Sequence, residues 1–104
     1  MKILFICNQG ENRSRTAAEV WKKLYPLHQV RYAGFYNKFD TGLLDWADKI
    51  IVFEKHHEDE LKSIDYRYWG NSYNISIDDL YTYNSASLID VLKRKLKLIE
   101  IVEP

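Results

Sequence analysis

The chain alternates between short apolar runs and longer segments in which apolar residues recur every three or four positions. Short apolar or β-branched runs predict strands, and the helical spacing predicts helices that pack by one face. The predicted strands are residues 2–7, 29–33, 49–53 and 72–77. The predicted helices are residues 14–25, 42–47 and 56–64, and a last helix that begins near Ser85 or Ser87 and carries Leu88, Leu92, Leu96 and Ile99 on one stripe.

Strands that alternate with helices are typical of α/β domains, in which helices cover both faces of a parallel sheet. Residues 2–7 are nearly all apolar, as expected for a central strand that is buried on both sides. We therefore expect an α/β three-layer sandwich with a four-stranded parallel sheet flanked by helices, and with ligands at the carboxyl ends of the strands. No Pro/Gly/Ser-rich linker or repeat interrupts the chain, which predicts one domain over residues 1–104.

The balance of positive and negative charges indicates which binding partners can be expected. Fifteen Lys and Arg residues balance 15 Asp and Glu residues, so no overall field favours nucleic acid or an anionic membrane. Recognition of an anion would therefore need a local pocket. The single cysteine cannot form an internal disulfide, and the apolar run 3–7 is far shorter than a signal-peptide core or a membrane span. We expect a cytoplasmic protein that binds neither nucleic acid nor a membrane.

A C-x5-R-S loop, Cys7-Asn-Gln-Gly-Glu-Asn-Arg13-Ser14, joins the first predicted strand to the first predicted helix. Such a loop directs successive backbone N–H groups inward, and together with the helix dipole they can hold a tetrahedral anion. Arg13 adds a planar fork that can bind two phosphate oxygens. Gly10 suits a tight turn because glycine adopts φ > 0 without a steric penalty. We predict a phosphate loop after the first strand, formed by Asn8, Gln9, Gly10, Glu11, Asn12, Arg13 and Ser14.

Cys7 lies at the carboxyl end of the first predicted strand, beside this positive field. A helix N-terminus and a neighbouring Arg favour the thiolate, which is the nucleophilic form of cysteine. The Ser14 hydroxyl can then donate a hydrogen bond to the sulfur. The alternative is that Cys7 is a small buried apolar residue and Arg13 a surface residue. The position of the motif between a strand and a helix favours the functional interpretation.

This loop and two further segments resemble one known family. Residues 7–19, CNQGENRSRTAAE, resemble the phosphate loop of the low-molecular-weight protein tyrosine phosphatases. Residues 46–56, WADKIIVFEKH, are similar to the WAD, apolar strand and EKxH stretch of a short bacterial branch of that family, the predicted tyrosine phosphatases. Residues 77–83, IDDLYTY, resemble the IPDDYEY segment of the same branch. The matches touch nearly the whole chain in the same order.

The resemblance implies a cysteine-dependent phosphatase that needs no metal or cofactor. It would act on a phosphorylated protein or a small aryl phosphate through a phosphocysteine intermediate. Carried over by position, Cys7 is the nucleophile, Arg13 clamps the phosphate and Ser14 is the hydroxyl partner of the thiolate. Asp79 is the expected general acid, because a gapless count back from the last helix matches it to the family's acid. Asp78 is the alternative, since a loop can slip by one residue.

The loop also departs from the family pattern, which usually has Asn at the position of Gly10 and Pro at the position of Arg15. Glu11 would oppose a bound dianion unless its side chain points outward or pairs with Arg15. Leu80 stands where longer relatives have Pro, which leaves the loop of the acid less constrained. These departures support a second interpretation: a catalytically weak or inactive module of the same fold that binds phosphate or a phosphopeptide.

Three further features have simpler explanations. Residues 56–60, HHEDE, include metal-ligand types, but acids at a helix start are favoured by the helix dipole, and consecutive residues do not share a helix face. No metal site is therefore expected. The basic run 93–97 lies late in a helix, where cations are favoured and solvated. Tyr36 and Tyr81 lie in predicted loops, and we predict them as substrate contacts, with packing of the loops over the sheet as an equal alternative.

Overall fold

A computed structural model describes residues 1–99. The predicted single domain over residues 1–104 also includes residues 100–104, which lie outside the described residues. One parallel sheet of four strands, in the order β2-β1-β3-β4, has helices on both faces. The elements along the chain are β1 (Lys2–Cys7), α1 (Arg13–Leu24), β2 (Gln29–Gly34), α2 (Gly42–Trp46), β3 (Lys49–Val52), α3 (Lys55–Ile64), α4 (Tyr66–Gly70), β4 (Ser72–Asn74) and α5 (Ala86–Leu96).

β1 is a central strand, because it pairs in parallel with β2 on one side and with β3 on the other. Successive side chains of a strand point to opposite faces, so its apolar residues enter two cores. Phe5 and Cys7 belong to the core that contains residues of α1 and α5, whereas Leu4 and Ile6 belong to the core with residues of α2 and α3. The predicted three-layer α/β sandwich is confirmed.

α5 covers one face of the sheet with the apolar stripe that the sequence predicts. Of the two predicted N-caps, Ser85 is the one used, and its hydroxyl accepts a hydrogen bond from the Leu88 N–H at 3.2 Å. Leu88 and Leu96 are fully buried in the core. The helix ends at Leu96, so Ile99 is not part of it, although its side chain still packs against the same core.

β4 ends earlier than predicted because Ser76 has φ of 51°, a left-handed conformation that no regular strand contains. Backbone hydrogen bonds to the end of β3 and to the residue after it nevertheless continue past Ser76. The N–H groups of Ile75 and Ile77 donate to the carbonyls of Val52 and Phe53, both at 3.0 Å. The chain therefore runs along β3 to the carboxyl edge of the sheet, where β1 also ends.

α4 has no counterpart among the predicted helices. It spans only five residues, too few for a periodic apolar pattern, and none of them is buried. Its start depends on Asp65, whose side chain accepts a hydrogen bond from the Arg67 N–H at 2.9 Å. Within residues 1–99, no helix has the length and the apolar character needed to cross a membrane.

Candidate active site

The backbone of the loop after β1 is held on one side by residues 35–37 and contacts the Cys7 sulfur through the Gly10 N–H. The carbonyls of Cys7, Asn8 and Gln9 accept hydrogen bonds from residues 35–37 at 2.9, 2.9 and 3.0 Å. The C=O and N–H groups of a trans peptide point in opposite directions, so the N–H groups that follow these carbonyls point away from residues 35–37. The Gly10 N–H accordingly donates to Cys7 Sγ at 3.3 Å.

Two glycines allow this loop to lie directly on the end of β2. Gly10 has φ of 76°, as the sequence predicts, and a Cβ atom there would lie 2.7 Å from the Ala33 carbonyl carbon. A Cβ atom on Gly34 would lie 2.1 Å from the Gln9 carbonyl carbon. Contacts this short are not available to any other residue type, so both positions require glycine.

Cys7 is buried, with an exposed fraction of 3%, and its thiol donates a hydrogen bond to Ser14 Oγ at 3.1 Å. The Ser14 hydroxyl in turn donates to the Ala33 carbonyl at 3.2 Å. The structure thus brings the predicted pair Cys7 and Ser14 into contact. With a protonated sulfur the thiol is the donor, whereas a thiolate would accept a hydrogen bond from the hydroxyl.

The side chain of Arg13 is almost fully buried, with an exposed fraction of 1%. Its Nη1 donates to Glu54 Oε2 at 2.8 Å and to the Ile77 carbonyl at 2.7 Å, and its Cζ lies 5.6 Å from the centre of the Phe53 ring. Nε and Nη2 are the only buried side-chain polar atoms of residues 1–99 without a hydrogen-bond partner. Buried donors without partners are unfavourable, so this edge of the guanidinium is ready to receive an anion.

A cavity of about 40 Å³ lies between the loop and the segment after β4, and it is lined by Cys7, Asn8, Gln9, Asn12, Arg13 and Asp79. Asp79 Oδ1 lies 3.6 Å from Arg13 Nε, and Asp79 Oδ2 accepts a hydrogen bond from Asn8 Nδ2 at 3.4 Å. Asp78 lines a different cavity, together with Tyr81 and residues of α5. Of the two adjacent carboxylates, Asp79 is therefore the one that reaches the cavity of Cys7.

Unlike Arg13, the neighbouring charged residues Glu11 and Arg15 do not line this cavity. Glu11 is exposed and does not line the cavity. Arg15 lies 3.9 Å from Glu19, and its guanidinium stacks 4.2 Å above the Tyr83 ring. Of the two arrangements that the sequence leaves open, Glu11 therefore points outward. Arg15 contacts Glu19 and Tyr83 instead of Glu11.

The two tyrosines predicted as substrate contacts lie in different surroundings. Tyr36 is 54% exposed, and its backbone N–H donates to the carbonyl of Asn8, so it borders the loop. Tyr81 is half-buried against the core of α1 and α5 and lines the cavity of Asp78. Tyr81 therefore packs a loop against the core, which is the alternative to a substrate contact.

Three side chains at the start of α3 complete the site, although sequence reasoning gives them no role. His56 and His57 each place Nε2 2.8 Å from Asn8 Oδ1, and Glu54 pairs with Arg13. The only signal in the sequence is the EKxH stretch of the family resemblance. Their arrangement depends on contacts between residues far apart in the sequence, such as Asn8 and His56, which are 48 positions apart. No local pattern in the sequence encodes such contacts.

The ligand atoms of Glu54, His56 and His57 lie within 4.8 Å of one another, close enough for a shared cation. Their hydrogen bonds do not fit that use. Glu54 is engaged with Arg13, and His57 Nδ1 accepts the N–H groups of Phe53 and Glu54 at 3.2 and 3.1 Å. The neutral ring of His57 then carries its proton on Nε2 and has no lone pair there for a metal. Burial, followed by the charges of His56 and Arg13, lowers the pKa of His57 to about 3.

The fold and the loop together define a class of protein: a parallel α/β sandwich whose first strand ends in a small pocket lined by a cysteine and a buried arginine. Among solved structures, the chain is similar to the tyrosine phosphatase Wzb from Escherichia coli K30 in complex with phosphate, with a TM-score of 0.81 and 20% identity over 92% of this chain and 93% of that chain. It is also similar to Vibrio vulnificus Wzb in complex with benzylphosphonate, with a TM-score of 0.75 and 20% identity over 92% of both chains.

A third similar structure is the YwlE arginine phosphatase from Geobacillus stearothermophilus, with a TM-score of 0.67 and 18% identity over 92% of both chains. No protein-family model and no curated protein matches the chain. The similarity to these solved structures confirms that the chain has the α/β fold of the tyrosine phosphatases expected from the sequence resemblance.

Proposed function

We propose that this chain hydrolyses phosphate monoesters as a cysteine-dependent protein tyrosine phosphatase. The observation that carries the proposal is the free edge of Arg13. Arg13 has two buried guanidinium nitrogens without a hydrogen-bond partner within residues 1–99, and it lines a cavity that Cys7 also lines. A guanidinium edge matches two oxygens of a phosphate group, and the loop N–H groups supply further donors for the remaining oxygens.

In the proposed reaction, the Cys7 thiolate attacks the phosphorus atom, so that an S–P bond forms while the bond from phosphorus to the leaving oxygen breaks. Asp79 gives its proton to that oxygen. A water molecule then attacks the phosphorus of the phosphocysteine, and Asp79 takes a proton from the water. The S–P bond breaks and inorganic phosphate leaves. Arg13 and the loop N–H groups stabilise the negative charge of the phosphoryl group in both steps.

The size of the cavity supports a small phosphoryl group inside and a leaving group outside. The cavity of about 40 Å³ is too small for an aryl ring as well as the phosphate, so the ring would lie at its mouth. Tyr36 borders the loop and is exposed, which keeps it as a candidate substrate contact. The complex of Vibrio vulnificus Wzb with benzylphosphonate supports a ligand that carries an aryl group. We infer an aryl phosphate or a phosphotyrosine protein as the substrate. The mechanism needs a reduced Cys7, which supports a cytoplasmic location.

A second candidate function is a module of the same fold that binds phosphate or a phosphopeptide without hydrolysis. Two features of the loop support it. Gly10 offers no side chain to brace the loop, and Glu11, although its side chain lies outside the cavity, adds a negative charge to the loop that would hold a dianion. Both candidates use Arg13 and the loop N–H groups, and they differ in whether Cys7 attacks the bound phosphorus.

Turnover by the wild type and by Cys7→Ser separates the two functions. The substrates are phenyl phosphate, phosphotyrosine, phosphoserine and phosphoarginine, and binding of inorganic phosphate is measured by calorimetry on the same samples. We expect the wild type to hydrolyse the aryl phosphates without added metal, and Cys7→Ser to bind phosphate without turnover. Activity that persists in Cys7→Ser would exclude the proposed mechanism. Phosphate binding without turnover by the wild type would support the binding module.

A further inference from the structure

The ring of His57 is held in one orientation and one protonation state. Its side chain is fully buried, and its Nδ1 accepts two backbone N–H groups at the start of α3, from Phe53 and Glu54. A ring nitrogen that accepts hydrogen bonds carries a lone pair, so the proton of the neutral ring is on Nε2. This Nε2–H lies 2.8 Å from Asn8 Oδ1, to which it can only donate.

Asn8 is oriented by this donor. Its side-chain oxygen also lies 2.8 Å from His56 Nε2, so the amide oxygen faces α3 and the NH2 group faces the other way, towards Asp79 Oδ2 at 3.4 Å. A flipped amide would set its NH2 group against the His57 N–H and its oxygen against the Asp79 carboxylate. Both contacts would be repulsive, so the structure allows Asn8 to present only a donor to Asp79.

Asp79 needs such a contact, because little else holds it. Its side chain is 49% exposed, and the next residue, Leu80, is 81% exposed. Its other partner is the buried Arg13, whose Nε lies 3.6 Å away. A carboxylate free to move would come closer to Arg13 Nε and Nη2, which have no hydrogen-bond partner within residues 1–99, and would occupy the place of the phosphate. The Asn8 N–H keeps one carboxylate oxygen at the rim of the cavity instead.

We propose that Asn8 is a positioning residue, which, oriented by His57, holds Asp79 at the rim of the Cys7 cavity, where a leaving oxygen must be protonated. The inference rests on the proposed function and adds a residue to it. It explains why a polar side chain follows the nucleophile and why a fully buried histidine faces the loop. Asn8 acts here through Asp79 and not on the phosphoryl group, which binds to Arg13 and to backbone N–H groups.

A double-mutant cycle with Asn8→Ala and Asp79→Ala tests this dependence. The readouts are kcat/KM for phenyl phosphate, whose leaving group needs protonation, and the inhibition constant of inorganic phosphate. We expect Asn8→Ala to lower kcat/KM by about 10-fold or more, a part of the 10²–10⁴-fold that a general acid contributes. The inhibition constant should change less than about 2-fold, because Arg13 and the loop backbone bind the phosphate. In the Asp79→Ala background, Asn8→Ala should have almost no further effect on kcat/KM.

Asn8→Asp provides the matched variant, because it keeps an oxygen for His57 and His56 but has no N–H for Asp79. If Asn8 only anchored the loop to α3, Asn8→Asp would retain wild-type kcat/KM. In the protein that retains Asp79, we expect Asn8→Asp to lower kcat/KM at least as much as Asn8→Ala does. In the Asp79→Ala protein, Asn8→Asp should lower kcat/KM less. Unchanged kcat/KM in Asn8→Ala, or an equal loss with and without Asp79, would overturn the positioning role while the phosphatase function stands. Absence of turnover by the wild type would overturn both.

Discussion

Acidification should destabilise the native protein through His57, and the size of the effect follows from its burial. The His57 side chain is fully buried and neutral, and burial, with the charges of His56 and Arg13, lowers its pKa from 6.5 to about 3. In the unfolded chain the same ring is solvated and has the ordinary pKa of a histidine, about 6.5. Between these two values the unfolded chain binds a proton that the native protein does not bind.

The sign of the effect follows from this difference in bound protons. The free energy of unfolding increases with pH wherever the unfolded state binds more protons. The contribution of His57 is therefore fully present above pH 6.5 and is lost as the pH falls towards 3. Each pH unit in this window corresponds to about 1.4 kcal/mol for one proton, which gives a loss of about 3 kcal/mol at pH 4.5.

Urea unfolding followed by tryptophan fluorescence, to which the buried Trp21 contributes, measures this loss at pH 7.5 and pH 4.5. The variant is His57→Asn, whose side-chain oxygen can still accept the backbone N–H groups of Phe53 and Glu54 but cannot take up a proton. The matched control is His56→Asn, because His56 is the neighbouring histidine and its side chain is 46% exposed. Between the two pH values, the wild type should lose about 3 kcal/mol more than His57→Asn. The control should lose somewhat less than the wild type but clearly more than His57→Asn, because burial is the main cause of the lowered pKa of His57 and the charge of His56 adds to it. Equal losses in all three proteins would refute the reasoning.

Three substitutions in the candidate site give further predictions. Asp79→Ala should lower kcat/KM for phenyl phosphate about 10²–10⁴-fold and Asp78→Ala much less, and the reverse ranking in steady-state assays would reassign the acid. Arg13→Lys keeps the charge but loses the two-pronged edge, so phosphate binding by calorimetry should weaken and kcat fall at least about 100-fold. Gly10→Ala places a Cβ atom 2.7 Å from the backbone of β2 at φ of 76°, and it should lower the free energy of unfolding by at least about 1 kcal/mol. The control Gly70→Ala, whose Cβ atom has no neighbour within 4 Å, should change the free energy of unfolding little. Equal effects of the two substitutions would contradict the steric argument.

Much of the fold could be predicted because it follows from local patterns. The apolar run of β1 indicates a strand covered on both faces, and the alternation of strands and helices indicates a parallel sheet. The phosphate loop is equally local, since the glycine, the arginine and the helix start lie within eight residues, Cys7 to Ser14. The end of β4 and the helix α4 differ from the prediction for local reasons that the pattern of apolar residues does not show. The left-handed Ser76 ends β4, and the short α4 shows no periodicity.

The remainder of the site was decided by the tertiary structure. The sequence by itself determined the sheet, the cysteine loop and the pair of aspartates, because each depends on neighbours along the chain. Which aspartate reaches the cavity depends on how the segment after β4 passes the loop, 71 residues away from Asn8. The contacts of Arg13 with Glu54, and of Asn8 with His57, join elements 41 and 49 residues apart. Such pairs form only when the parallel strands bring their carboxyl ends to one edge of the sheet. No periodic pattern in the sequence predicts them.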